Sequence, residues 1–333
     1  MLHSRFDVLG IGNAIYDVLA SVDDDFLVRE RLVKGEMRLV DAARSRQIYD
    51  RIGPAVRASG GSAGNTVSGV AALGGRAAFI GKVADDSVGD AYGHDMRGFG
   101  VHFDVPPLSG GAPSATSIIL ITPDGERTMN TYLGACQHLG PADIDADLVA
   151  ASAITYLEGY LWDPPAAKDA FRKAAHIAHA AGRQVALTLS DAFCVDRWRA
   201  DFIDLLRTGT VNLLFANEHE LKALYGSPSV GDAVAALQAD CPLAAVTLGA
   251  EGSLVVTRTE AIQVPATAVD QVVDLTGAGD LYAGGFLFGL SNGRSLTECA
   301  TLGSLAASEV ITHIGARPQR ALTDLVNLSR SAA

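Results

Sequence analysis

From about residue 150 onward the chain alternates short, β-branched apolar runs with helical stretches, and few architectures accommodate that rhythm. The strand-like runs are 153–157, 184–189, 211–216, 243–248 and 253–256. Helical stretches at 166–181, 201–206, 218–225 and 232–239 lie between or after them. Parallel strands need a crossover between them, and the crossover helices cover both faces of the sheet. The earlier half adds strand candidates at 6–11, 77–80, 117–122 and 127–132, the last two joined by the turn Pro123-Asp124-Gly125-Glu126. Helical patterns are read at 42–56 and, after a glycine-rich loop, within 60–73. No internal repeat or linker interrupts the 333 residues. The expectation is one α/β/α sandwich, residues 1–333, around a mostly parallel central sheet.

Bulk properties narrow the function. Hydrophobic residues make up 48% and charged residues 19%, enough for a large core. A net charge of −12 argues against nucleic acid or an anionic membrane as partner. Cys136, Cys194, Cys241 and Cys299 lie far apart with no CxxC pairing, which reads as reduced thiols. The N-terminal segment carries no apolar signal region, and no apolar run reaches the length of a membrane span. A cytoplasmic protein is expected.

The chemistry concentrates in Asp274-Leu275-Thr276-Gly277-Ala278-Gly279-Asp280, which precedes an apolar, small-residue helical segment. Gly277 and Gly279 permit a tight turn and close approach of a ligand. The first N–H groups of the helix lack internal partners and favour an anion such as phosphate. Asp280, a carboxylate at the same helix start, is placed as a general base would be. Alone, such a motif is no more than a turn with a capping Asp. Gly10-Ile11-Gly12-Asn13 invites a dinucleotide reading, but that fingerprint requires glycine where Ile15 stands. His176 and His179 sit in an alanine-rich helix without carboxylate support and are expected to be partly exposed structural residues.

Two further segments accompany the motif: Gly60-Gly61-Ser62-Ala63-Gly64-Asn65, running on through Gly74-Gly75 to Gly81-Lys82-Val83 and Asp90, and Asn217-Glu218-His219-Glu220. Together the three resemble, in order and spacing, the signatures of the PfkB (ribokinase-like) family of carbohydrate and nucleoside kinases. Leu275 departs from the Thr common at that position, which removes a side-chain hydroxyl there. The resemblance implies a ribokinase-like fold in which two excursions, roughly 15–39 and 105–133, pair as a small β-lid over the substrate. It implies phosphoryl transfer from ATP, with Asp280 as base and the backbone of Gly277, Ala278 and Gly279 as anion hole. Arg127 would reach toward the phosphates on closure; read without the family it is equally a solvated hairpin charge. Asn217 and Glu220 would organise Mg²⁺ through water, and they also fit a capping box. Thr247, Gly249 and Gly252 would run along the ATP phosphates and ribose. Many relatives bind K⁺ near the backbone of 270–274, and that remains open here, as does the choice between monomer and homodimer.

Asn13, Asp17, Gly60, Gly61 and Asn65 match the family's sugar-hydroxyl positions, and a carboxylate with two amides suits a vicinal diol. The opening Gly12-Asn13-Ala14-Ile15-Tyr16-Asp17 and the segment Leu189-Ser190-Asp191-Ala192-Phe193 resemble adenosine-kinase-like members. Phe193, Tyr160 and Leu133 would then form an apolar slot for a purine, none bringing a charge to it. The expected acceptor is the 5′-hydroxyl of adenosine, and the alternative is a free sugar such as ribose or fructose. A catalytically idle binding protein is disfavoured by the intact Asp280, Gly277 and Gly279.

Overall fold

The computed structural model describes residues 4–325. Strands are numbered in chain order. A nine-stranded sheet carries the body of the protein. Its parallel part runs, in spatial order, through β12 (Leu243–Thr247), β11 (Leu213–Asn217), β10 (Gln184–Thr188), β9 (Ser152–Glu158), β1 (Phe6–Ile11), β5 (Ala77–Ile80) and β6 (Val101–His102). Beyond β12 the sheet ends in an antiparallel pair, β13 (Ser253–Thr257) and β14 (Ala261–Val264).

Alternate side chains on these strands feed two separate cores, which makes the molecule three-layered. Leu9, Ile11, Leu157, Leu214 and Val246 pack against the helices Pro165–Ala180, Ala192–Arg207, Glu218–Tyr225 and Val230–Asp240. Val8, Phe79, Tyr156, Phe215 and Ala245 pack against Ser62–Ala72, Ser87–Gly98, Ala278–Ser291 and Leu296–Val310. This is the ribokinase-like α/β/α sandwich that the alternation and the motifs pointed to.

The second sheet has five strands in the order β3 (Met37–Leu39), β8 (Arg127–Tyr132), β7 (Ala115–Ile121), β2 (Ile15–Ser21) and β4 (Val56–Ser59). One face packs on a small core of Val18, Ala20, Phe26, Leu27, Ile48, Ile118 and Leu120. The other, carrying Ile15, Asp17, Ser117, Ile119, Met129 and Thr131, looks toward the body. The first excursion continues past residue 39: the helix stops at Tyr49, and Val56–Ser59 pairs with β2. An exposed Val56 hid that strand among helical neighbours. The helix read at 201–206 begins at Ala192, capped by Asp191 and kinked at Trp198, which explains its broken periodicity. Val272 and Val273 lie in an exposed loop; β-branched residues alone do not make a strand without a sheet edge to pair with. Among the described residues no helix is long and apolar enough to cross a membrane. All four cysteines are free and buried, and His176 and His179 are exposed.

Candidate active site

Carboxyl ends of the central strands and the inward face of the small sheet enclose a cleft of about 720 Å³. Two helices start at it on glycine: Ser62–Ala72 on Gly61 (φ 83°) and Ala278–Ser291 on Gly277 (φ 80°), neither with a side-chain cap. Other helices here are capped by Asp86, Asp191, Ser229 and Ser295 side chains. Glycine caps leave the first-turn N–H groups free of a competing side-chain oxygen. Gly277 is required twice over, because its φ is left-handed and a Cβ would come within 2.7 Å of Ala316 Cβ. The two helices also touch closely, since a Cβ on Gly284 would sit 2.7 Å from the Thr66 carbonyl.

That contact brings the two glycine-rich segments together at Asp280. Ser62 Oγ donates to Asp280 Oδ1 at 2.7 Å, and Asn65 Nδ2 donates to Oδ2 at 2.8 Å. Burial raises the Asp280 pKa, while those two bonds and the Arg317 charge work against the rise. The Ala278 N–H is turned back to the Leu275 carbonyl at 3.2 Å, so it is engaged in the turn itself. Leu275 is 69% exposed and takes no part in the core, so losing the Thr there leaves packing untouched.

Asp274 shapes the approach to this helix. It accepts from the Thr276 N–H at 3.0 Å and the Gly315 N–H at 2.9 Å. Arg127, from β8 of the small sheet, forms a buried ion pair with Asp274 and donates to Thr276 Oγ1 at 3.1 Å. The solvated-hairpin reading of Arg127 is overturned, because its side chain is only 12% exposed.

Across the cleft, Asn13 Nδ2 donates to Glu158 Oε1 at 2.6 Å, and the Ala63 N–H donates to Glu158 Oε2 at 2.9 Å. Asp17 lies against Gly60, where a Cβ would come within 2.2 Å of Asp17 Oδ2. Desolvation pushes Asp17 up to about 7, with Asp280 adding to the rise and Arg317 and Arg127 opposing it. Glu158 is also pushed up to about 7 by burial, against its bonds to Ala63 and Asn13. The sequence reading passed over Glu158. Its signal was an acidic residue closing a mid-sheet strand just before Gly159.

Leu133, Tyr160 and Phe193 all line the cleft, and Phe193 is 74% exposed. Asp163 and Arg197, paired at 3.0 Å, line it beside them, so the slot is not free of charge as the sequence implied. Sequence could not show this, because Arg197 and Asp163 are 34 residues apart and meet only through packing. Asn217 and Glu220 form a reciprocal capping box, with Asn217 Nδ2 to Glu220 Oε1 at 2.6 Å and the Glu220 N–H to Asn217 Oδ1 at 2.9 Å. Burial pushes Glu220 up to about 7, and Asp191 and Asp280 add to the rise. Thr247 lines the cleft, whereas Gly249 and Gly252 build the turn beyond it and are not among the described wall residues. No group of three or more His, Cys, Asp or Glu among the described residues is arranged to hold a metal.

The known proteins that this chain resembles include several kinases. The adenosine kinase from Sinorhizobium meliloti is 57% identical, covering 99% of this chain and all of that one, with a TM-score of 0.91. A probable sugar kinase from Rhizobium etli CFN 42 is 50% identical over 98% of this chain and 99% of its own, with a TM-score of 0.93. Fructokinase-1 of Oryza sativa subsp. japonica is 29% identical over 276 residues, 79% of this chain and 85% of that protein. Residues 39–322 match the pfkB family of carbohydrate kinases, and the chain belongs to it as a phosphotransferase with an alcohol acceptor.

Proposed function

We propose that the protein phosphorylates the 5′-hydroxyl of adenosine, with ATP as donor, giving AMP and ADP. The observation that carries this reading is Phe193, a large apolar ring left 74% exposed in the wall of the same cleft that holds Asp280 and Asp17. An exposed ring in a concave site fits a planar base. The 57% identity to the S. meliloti adenosine kinase supports it.

Asn13, Asp17 and Asn65 would hold the ribose diol. Asn65 Nδ2 is already bound to Asp280, which places the amide at the inner end of that set. Asp280 would take the proton from the 5′-oxygen as that oxygen attacks the γ-phosphorus, ADP leaving in line. The N–H groups at Gly279 and Asp280 would stabilise charge on the transferring phosphoryl group, with the Arg127 guanidinium beside Thr276 on its other flank. Both Glu220 oxygens already hold Asn217, so this pair fits Mg²⁺ through water rather than by direct ligation. When bound, Mg²⁺ neutralises phosphate oxygens and orients them. The small sheet would act as the lid that excludes water.

A free-sugar kinase is the second reading, favoured by the Asp163–Arg197 pair at the base slot and by the R. etli relative. Glu158 lends it less, because its two oxygens are occupied by Asn13 and Ala63. Coupled detection of ADP formation with adenosine, ribose and fructose decides between them. A kcat/KM for either sugar above that for adenosine overturns the adenosine assignment.

A further inference from the structure

Arg317 lies near the C-terminal end of the described chain, outside the three motifs, and is only 8% exposed. A desolvated guanidinium without a carboxylate partner is costly, so its position calls for a reason. Among the described residues none of the Asp or Glu side chains forms an ion pair with it. Its contacts are neutral: Nε donates to the Ser59 carbonyl at 2.8 Å, Nη2 to Ser59 Oγ at 3.2 Å and to Met96 Sδ at 3.5 Å, Nη1 to the Gly64 carbonyl and Ser68 Oγ, and the guanidinium lies 5.3 Å from the centre of the Phe99 ring.

Those partners flank the acceptor loop on both sides. Ser59 ends β4 of the small sheet and directly precedes Gly60, against which Asp17 lies. Gly64 sits in the helical turn whose neighbours Ser62 and Asn65 hold Asp280. Gly315, two residues before Arg317, is itself tied to Asp274. One buried cation therefore joins the junction of the small sheet, the first turn of a site helix and the glycine-rich motif.

We infer that Arg317 is a positioning residue: it fixes the loop 59–64, and through it Gly60 beside Asp17 and the Ser62–Asn65 turn that holds Asp280, and it brings a buried positive charge to that junction. The part concerning Asp280 rests on the reading of Asp280 as base. Burial lowers the Arg317 pKa, while the charges of Tyr92, Asp17, Asp280 and Asp95 work to keep it protonated. It opposes the burial of both Asp17 and Asp280, with Arg127 as the second cation acting on Asp17. The neighbouring carboxylates Glu158 and Glu220 feel Asp280 as a like charge, so losing Arg317 would leave the acidic cluster with less compensation. Without that charge Asp17 and Asp280 would hold their protons to higher pH, which works against a base.

The test compares wild type with R317K and R317Q. In the pH profile of kcat/KM, R317Q should move the acid limb upward by about one unit, the scale of losing a nearby opposite charge. R317K keeps the charge, so its limb should stay near that of wild type while KM for the acceptor rises severalfold from lost loop contacts. Thermal unfolding of the ligand-free proteins from pH 5 to 8 gives a readout independent of activity. The loss of stability with rising pH should be steeper in R317Q, because ionising Asp17 then goes less compensated. An unmoved acid limb with activity scaled down equally at all pH, or parallel melting curves for R317Q and wild type, would overturn the inference. Wild-type protein that makes no ADP with any acceptor would sink the proposed function instead, and the melting comparison would still decide on Arg317.

Discussion

Arg127 of the small sheet and Asp274 of the glycine-rich segment form an ion pair buried on both sides, with side chains 12% and 4% exposed. The pair ties the small sheet to the segment that leads into the Ala278–Ser291 helix. It also holds the guanidinium beside Thr276, one residue before the helix cap. Asp274 is at the same time the acceptor that folds the turn through Thr276 and Gly315.

Replacing Arg127 should therefore separate charge from geometry. Arg127→Met is expected to lower kcat/KM by about 10²-fold, and Arg127→Lys by less, since a lysine retains the charge but not the fork that spans Asp274 and Thr276. Steady-state kinetics of both variants check this. Equal losses would show that charge plays no part.

Asp280→Asn should leave ADP and acceptor binding close to wild type while kcat falls about 10²–10⁴-fold. Asparagine preserves volume and can still accept from Ser62. Calorimetric binding beside turnover measures the split, and turnover within a few-fold of wild type would remove Asp280 from the base role.

Because Phe193 is 74% exposed, Phe193→Ala should hardly change thermal stability. It should raise KM for adenosine roughly tenfold to a hundredfold, from about 1–3 kcal/mol of lost stacking at 1.4 kcal/mol per decade. Any ribose activity should change much less. A comparable loss for both acceptors would argue that the ring only shapes the loop.

Asp17 carries a pH signature. Its pKa in the folded protein is pushed up to about 7, above the ordinary carboxylate value, so the folded state holds a proton longer than the unfolded chain. The associated stability is present at low pH and is lost as pH rises through about 7. Asp17→Asn should accordingly melt about 2–4 °C above wild type at pH 8, with the difference vanishing near pH 4. Differential scanning calorimetry at the two pH values is the check, and a destabilised variant at pH 8 would refute it. The same substitution should raise KM for the acceptor, since the carboxylate is assigned to the diol.

The sequence by itself determined the layered fold and the glycine-started helix that carries Asp280. Strand–helix alternation leaves a parallel sheet between two helical layers as the economical way to bury both faces, and the Gly277–Asp280 segment announces an open helix start through local backbone chemistry alone. What it could not determine depended on residues distant in the chain meeting through packing. Glu158 became a site residue because β9 ends beside Asn13 and Ala63. Arg197 came to the cleft wall near Phe193 because its helix starts at Ala192 and Asp163 stands opposite to pair with it. Arg127 looked like a hairpin charge until the small sheet placed it against Asp274. Local pattern records how a residue sits in its own strand or helix. Which charge it meets, and how far that charge is from water, is set by the tertiary structure, because electrostatic interactions follow distance through space and the surrounding dielectric rather than separation along the chain.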